Sequence, residues 1–349
     1  MMALRVPEVV ERSAVRLLQE LLEGPRSYWA LIRRGGEQAA EQIALLRRLL
    51  AEGLVEYDGR LFRLTPAGEE QARALGLPAG GARCPACRGR GLRIPPQLEA
   101  VLEEFTLLAR RRPKASPEFD QGYVTPEVTV LRVALMLERG DLPGRDLLLL
   151  GDDDLTSLAA ALSGLPRRVH VLDVDGRLVD FINETARRRG WDHVRAERYD
   201  VRDDLPDPLR GRFDVFFTDP VETVPGLLLF LSRCTEALRG PGAAGYFGLS
   251  ALESSKAKWR RIQRGLLEMG YAITEALPQF QEYEIDEVLD RGYRIVTKAP
   301  VPLPEPDVRF YTSTVFRLEL VDEPRPLLRG PVPMGRELYY DEEAYVTLP

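Results

Sequence analysis

The chain has 349 residues, 44% of them hydrophobic and 29% charged, and carries a formal net charge of −6. This length suits two or three compact units with a buried core, and no apolar run reaches the ~18 residues of a membrane-spanning helix, which excludes a membrane protein. Three cysteines cannot build a disulfide scaffold, which fits a reducing cytoplasm. Glu8 and Glu11 stand where a secretory signal would be apolar, so export is not expected. Arginine outnumbers lysine 44 to 4 and Asn183 is the sole asparagine, a bias that points to a GC-rich, heat-adapted source.

Charge is unevenly spread. Residues 1–80 hold 11 basic and 11 acidic residues, residues 81–115 hold 8 and 3 (+5), and residues 116–349 hold 29 and 40 (−11). Nucleic-acid enzymes concentrate positive charge at their sites because phosphate contacts dominate affinity. The largest part of this chain does the reverse, which suits a cationic ligand, although such charge also serves solubility.

In chain order, apolar spacing predicts a helix over 8–22 stopped by Gly24-Pro25, then helices near 27–34 and 37–52. Leu54–Tyr57, the turn Asp58-Gly59 and Leu61–Leu64 read as a hairpin, and Thr65-Pro66 opens another helix as cap and first residue. Together these elements, within a first domain over 1–80, resemble a winged helix-turn-helix. The presumed recognition helix, 37–52, carries three Glu and two Arg, whereas a groove-reading helix presents Arg, Lys, Asn or Gln. Dimerisation or scaffolding is therefore expected, rather than DNA binding.

A basic linker, 81–115, contains Cys84-Pro-Ala-Cys87-Arg-Gly-Arg-Gly91. Two thiols at this spacing look like half of a zinc knuckle, but a tetrahedral site needs four ligands and no second CxxC exists. Cys84 and Cys87 read either as a zinc site shared across a homodimer or as a redox-inert pair. A helix over 97–110 follows, and then Asp120 and Gln121, placed to form a lid ahead of a helix at 126–139.

From residue 145 the pattern alternates. Strand 146–150 precedes Gly151-Asp152-Asp153-Asp154; strand 168–172 precedes Asp173; a strand at 196–199 precedes Asp200; and strand 213–217 precedes Asp219-Pro220-Val221-Glu222. Apolar strands alternating with helices predict a parallel sheet covered on both faces, with ligands at the carboxyl ends of its strands. Two further strands, 271–277 and 312–320, flank the acidic stretch 281–287. The domain 116–323 thus resembles the Rossmann-like, seven-stranded class I S-adenosylmethionine-dependent fold. The tail 324–349, rich in Pro and acids, reads as an acidic flap or as disorder.

The ordinary first loop of that fold is glycine-rich, so that backbone N–H groups approach the methionine carboxylate. Here Gly151 is kept and three Asp follow it. Adjacent carboxylates repel an α-carboxylate and attract an ammonium, so the loop selects decarboxylated S-adenosylmethionine. Asp173 is placed for the ribose hydroxyls, Asp200 for the adenine amino group, and Asp219 for the acceptor nucleophile. Glu222 stands where amino-group methyltransferases stack an aromatic on a base, a change that favours an aliphatic polycation.

Gly151–Ser157, Asp219–Thr223, the Cys84/Cys87 turn, the winged-helix start and Phe316-Arg317-Leu318-Glu319 together resemble the branched-chain polyamine synthase family, the N(4)-bis(aminopropyl)spermidine synthases of thermophiles, over nearly the whole chain. Gly151–Asp154 also resembles, more distantly, the loop of linear spermidine synthases, whose Asp matches Asp154. The resemblance implies two aminopropyl transfers from decarboxylated S-adenosylmethionine to the central nitrogen of spermidine, without a metal. Asp219 is then the candidate base, with Asp154 a second catalytic candidate. Glu222, Glu282 and Glu284 would anchor terminal ammoniums. The competing readings are a nucleic-acid N-methyltransferase, which the −11 core opposes, and a polyamine-sensing winged-helix regulator, which the poorly basic 37–52 helix opposes.

Overall fold

The computed structural model describes residues 11–77, 84 and 86–347. Residues 8–10 of the first expected helix, and the junction at 78–83 between the first two expected units, lie outside them. The N-terminal elements are α1 (Arg12–Leu22), α2 (Tyr28–Gly35), α3 (Ala39–Ala51), a hairpin of β1 (Val55–Tyr57) and β2 (Phe62–Leu64), and α4 (Pro66–Ala74). Ser27 caps α2 by accepting from Ala30 N at 3.1 Å, and Thr65 caps α4 from Gly68 N at 3.2 Å.

After α5 (Glu99–Ala109) come β3 (Tyr123–Val124), α6 (Pro126–Glu138), β4 (Asp146–Leu150), α7 (Thr156–Ser163), β5 (Arg168–Asp173), α8 (Gly176–Arg189), β6 (Val194–Arg198), β7 (Val215–Thr218), α9 (Val224–Ala237), β8 (Ala244–Leu249), α10 (Lys256–Glu268), β9 (Tyr271–Glu284), α11 (Arg294–Thr297) and β10 (Thr312–Leu320). They build one mixed sheet in the order β3-β9-β10-β8-β7-β4-β5-β6. Strands β4 to β8 run parallel, while β10 lies antiparallel between β8 and β9. Leu147 and Leu149 of β4 enter one core with α5 to α8, and Leu148 and Leu150 enter the other with α9 and α10. This two-sided burial explains the uninterrupted apolar run.

Two features depart from expectation. The sheet has eight strands rather than seven, because the short β3, just after the expected lid residues Asp120 and Gln121, pairs with the end of β9 (Tyr123 with Glu284, Val124 with Tyr283). Strand β9 accordingly runs through Glu284, absorbing most of what read as an acidic loop. The tail is packed rather than free over its described length. Gly330 O accepts from Arg233 Nη2 at 2.6 Å, Leu338 O accepts from Thr223 Oγ1 at 2.8 Å, and Leu338 is fully buried. Among the described residues, no helix is long and apolar enough to cross a membrane.

Candidate active site

The carboxyl ends of β4 to β7 share one rim, and two cavities open there. The larger, about 490 Å³, is lined by eight acidic residues (Asp120, Asp153, Asp219, Glu222, Glu253, Glu284, Asp286, Glu287) and two basic ones, Lys114 and Arg291. The smaller, about 90 Å³, is lined by Gly151, Asp153, Asp173, Asp200 and Tyr339 among others. Asp120, Gln121, Asp153, Asp219 and Pro220 border both.

Asp219, just past β7, is held at this border by three partners. Its Oδ2 accepts from Arg132 Nη2 at 2.7 Å, from Tyr283 Oη at 2.7 Å and from Gln281 Nε2 at 3.1 Å. Among the described residues, Oδ1 accepts from Gln281 alone, at 3.2 Å. Burial pushes the carboxyl above the usual Asp range, while Arg132 opposes the rise. Arg132 lies on α6 with only 2% of its surface exposed. Its Nη1 pairs with Asp154 Oδ2 at 2.6 Å, its Nε donates to Gln281 Oε1 at 2.6 Å, and its guanidinium lies 4.7 Å from the Phe217 ring centroid. Burial disfavours its charge, but Asp154 and Asp219 keep it protonated.

The three Asp after Gly151 divide their roles. Gly151 itself has φ +74, the left-handed region that favours glycine. Asp152 is buried and turns to the start of α7, accepting from Ser157 N at 3.2 Å. Asp154, expected to meet the donor, instead turns inward between Arg132 and Val124 N (2.6 Å) and lines neither cavity. The physical reason is the buried cation on α6, which draws the nearest carboxylate away from solvent. Asp153 alone of the three faces both cavities; Gly122 N donates to it at 3.2 Å, and burial pushes its carboxyl well up.

Asp173 accepts from Asp152 N and Asp175 N, both at 2.8 Å, and lines the smaller cavity. Asp200 also lines it, paired with Arg202 at 2.6 Å, which holds its carboxyl below the usual range. Gln121 bridges Asp175 (3.1 Å) and Ser116 N (2.8 Å), tying its segment to the loop after β5, while Gly122 N and Val124 N strap the loop after β4 through Asp153 and Asp154. Asp120 adopts φ +54, and burial together with Glu253 pushes its carboxyl well up. Glu222 accepts from Ser250 N at 2.7 Å, and its carboxyl is likewise raised by burial and by Glu253. Glu284 lines the larger cavity and accepts from Arg309 at 3.4 Å.

Glu282 does not join them. It lines neither cavity and ion-pairs with Arg33 of α2 and, at 2.7 Å, with Arg90 of the basic linker. Strand alternation decides this: Gln281 and Tyr283 point to Asp219, so Glu282 points the other way. Burial alone would raise its carboxyl, but Arg33 and Arg90 hold it below the usual range.

Cys84 and Cys87 are free thiols on a turn closed by Gly89 N to Cys84 O at 3.2 Å. Backbone N–H groups of Gly91 and Gly89 lower the Cys87 thiol. They offer two thiolates where a closed zinc site needs four. Among the described residues, no group of three or more His, Cys, Asp or Glu could hold a metal. The pair does not fit zinc within this chain alone.

Several site residues escaped the sequence reading: Arg132, Gln281, Tyr283, Tyr311 and Glu253. Arg132 carried a signal, a lone charge inside the apolar run 128–137 of α6. Glu253 carried none; it is buried, and its Oε2 accepts from Tyr311 Oη at 2.8 Å while its Oε1 accepts from Tyr345 N at 2.5 Å and Val346 N at 2.6 Å.

Strand order, paired cavities lined by carboxylates and Asp219 at their border define a methyltransferase-like α/β enzyme. Residues 100–346 match the family model of the branched-chain polyamine synthase A C-terminal domain. The N(4)-bis(aminopropyl)spermidine synthase of Thermococcus kodakarensis is 39% identical over 344 residues, 97% of this chain and 96% of that protein. That of Methanocaldococcus jannaschii is 36% identical over 345 residues, 97% of this chain and 96% of its own. The crystal structure of the branched-chain polyamine synthase from Thermus thermophilus, in complex with N4-aminopropylspermidine and 5'-methylthioadenosine, matches with a TM-score of 0.82 and 39% identity, covering 97% of this chain and 94% of that one. The chain belongs to the branched-chain polyamine synthase family.

Proposed function

We propose that this protein transfers aminopropyl groups from decarboxylated S-adenosylmethionine to the central nitrogen of spermidine, giving N(4)-bis(aminopropyl)spermidine and methylthioadenosine. One observation carries the reading: Asp219 stands on the border of a small cavity, lined by Asp173 and Asp200, and a large acidic one. Donor and acceptor would meet there. The relatives' names and the Thermus thermophilus complex with N4-aminopropylspermidine and 5'-methylthioadenosine support the same chemistry.

In the first transfer the secondary amine's lone pair attacks the propyl carbon bound to sulfur. The C–S bond breaks, its electrons neutralise the sulfonium, and the nitrogen's proton passes to Asp219 Oδ1, the oxygen that neither Arg132 nor Tyr283 holds. A carboxyl raised by burial suits this role, within the ~10²–10⁴-fold usual for general bases. The second transfer begins from a tertiary amine and ends in a quaternary ammonium, so Asp219 then serves only to keep the nitrogen unprotonated and oriented. Asp153 replaces Asp154 as the carboxylate facing the donor's ammonium. Asp154 acts through Arg132 as a positioning residue. Glu222, Glu253 and Glu284 would receive the acceptor's terminal ammoniums, and a desolvated site magnifies each attraction.

Three helices and a two-stranded wing fit a winged helix-turn-helix that serves as a scaffold. The test is incubation with decarboxylated S-adenosylmethionine and spermidine, followed by mass analysis. Release of methylthioadenosine with spermidine gaining one and then two aminopropyl units is expected. No release, or a preference for S-adenosylmethionine itself, would reject the reading.

A further inference from the structure

The 27 residues between β9 and β10, 285–311, contain a single four-residue helix, α11, and no strand. Their cavity-facing members, Ile285, Asp286, Glu287, Arg291, Tyr293 and Tyr311, nevertheless form much of the larger cavity's wall. A segment with so little regular structure satisfies few of its own backbone groups and must borrow partners.

It borrows several from the N-terminal elements, while the C-terminal tail supplies Tyr345 O to Ile295 N at 3.1 Å. Tyr28 Oη donates to Ile295 O at 2.8 Å, Trp29 Nε1 to Pro304 O at 2.9 Å, Arg33 Nη1 to Arg309 O at 2.6 Å and Tyr57 Oη to Pro302 O at 3.0 Å. Val288, Ile295 and Phe310 of the loop share one buried core with Trp29, Ile32 and Leu46, and the Trp29 and Phe310 rings stand 4.6 Å apart. One face of the loop is therefore set by α2 and the hairpin, and the other faces the cavity.

We infer that the N-terminal elements act as the template of the acceptor wall, with Tyr28 and Trp29 as positioning residues that set where the loop's charged and aromatic side chains stand. This rests on the larger cavity being the polyamine site. Among the described residues, the smaller cavity borrows nothing from these elements: its lining comes from the rim loops, the 119–121 segment, Phe230 and Tyr339. Donor binding is accordingly independent of them.

The test uses the full chain with Tyr28→Phe, which keeps the ring and removes one donated hydrogen bond, and Trp29→Phe, which removes the other together with part of the buried indole. The apparent KM for spermidine should rise about fivefold or more, the scale of one lost buried hydrogen bond. The KM for decarboxylated S-adenosylmethionine and kcat at saturation should stay within about twofold. A merely structural role would lower active protein and leave both KM values alone; that result, an unchanged acceptor KM, or equal rises in both KM values would overturn the inference. Should either variant fail to fold, Tyr57→Phe, whose hydroxyl sits at the surface, decides by the same KM split. A wild-type protein that releases no methylthioadenosine refutes the functional reading itself. An active wild type with an unaltered KM split in the variants refutes only the templating.

Discussion

Replacing Gly248 by alanine tests the geometry around Asp219 without replacing any charged group. Gly248 lies on β8, opposite Val315 of β10. A Cβ built there falls 2.1 Å from Asp219 Oδ1 and 2.6 Å from Gln281 Nε2. Favourable contacts to carbon lie near 3.5 Å, so the carboxylate must retreat by about 1 Å or more. It cannot simply turn aside, because Arg132 and Tyr283 hold Oδ2 at 2.7 Å each. A displacement of ~1 Å at a reacting group costs ~10²-fold in rate, equivalent to ~2.7 kcal/mol of barrier. The added methyl also overpacks the sheet, at ~1–3 kcal/mol of stability. The assay is methylthioadenosine release at saturating donor and acceptor, beside a urea unfolding curve. Gly248→Ala should be folded, somewhat less stable and about a hundredfold slower, with donor affinity retained. A folded variant with wild-type kcat would refute the placement of Oδ1 at the reaction centre.

Three further outcomes follow from the same network. Arg132→Met strands the Asp154 and Asp219 carboxylates in a buried site, which should cost ~3–5 kcal/mol in urea unfolding; a change below ~1 kcal/mol would mean that the guanidinium does not neutralise them. Tyr283→Phe removes a hydrogen bond that lowers the Asp219 carboxyl, so the acidic limb of the pH dependence of kcat/KM should move to higher pH; an unmoved or lowered limb would exclude Asp219 as the titrating group. Glu282 is held below its ordinary value in the folded chain, so its stabilisation is present above the ordinary Glu range and is lost as pH falls through the folded value. Glu282→Gln should therefore be less stable near neutrality and lose less stability on acidification, read from urea midpoints between about pH 3 and pH 7.

Local features were legible wherever a residue's role depends on its neighbours in the chain. The Asp58-Gly59 turn, the Thr65-Pro66 cap and the four strands that end in acids all follow from spacing and composition. The smaller cavity's Gly151, Asp173 and Asp200 were legible for the same reason: a parallel sheet presents the residue after each strand at one rim. The extent of β9 was not, because its pairing with Tyr123–Val124 joins segments about 160 residues apart, and no local pattern encodes such a partner. The parity by which Gln281 and Tyr283 face Asp219 and Glu282 turns away is registered against β10, where Ser313 pairs with Gln281 and Thr312 with Glu282 beside a register shift.

The sequence alone determined that carboxylates gather at the carboxyl ends of parallel strands, because apolar runs dictate the sheet and the sheet dictates its rim. Which of those carboxylates are available to a ligand was decided only in three dimensions. A cation buried on α6 claims Asp154 and steadies Asp219, a helix start claims Asp152, and two arginines from distant segments claim Glu282. Each choice depends on where an opposite charge or an unpaired N–H lies in space, since a buried carboxylate must find such a partner, and chain order does not state that distance.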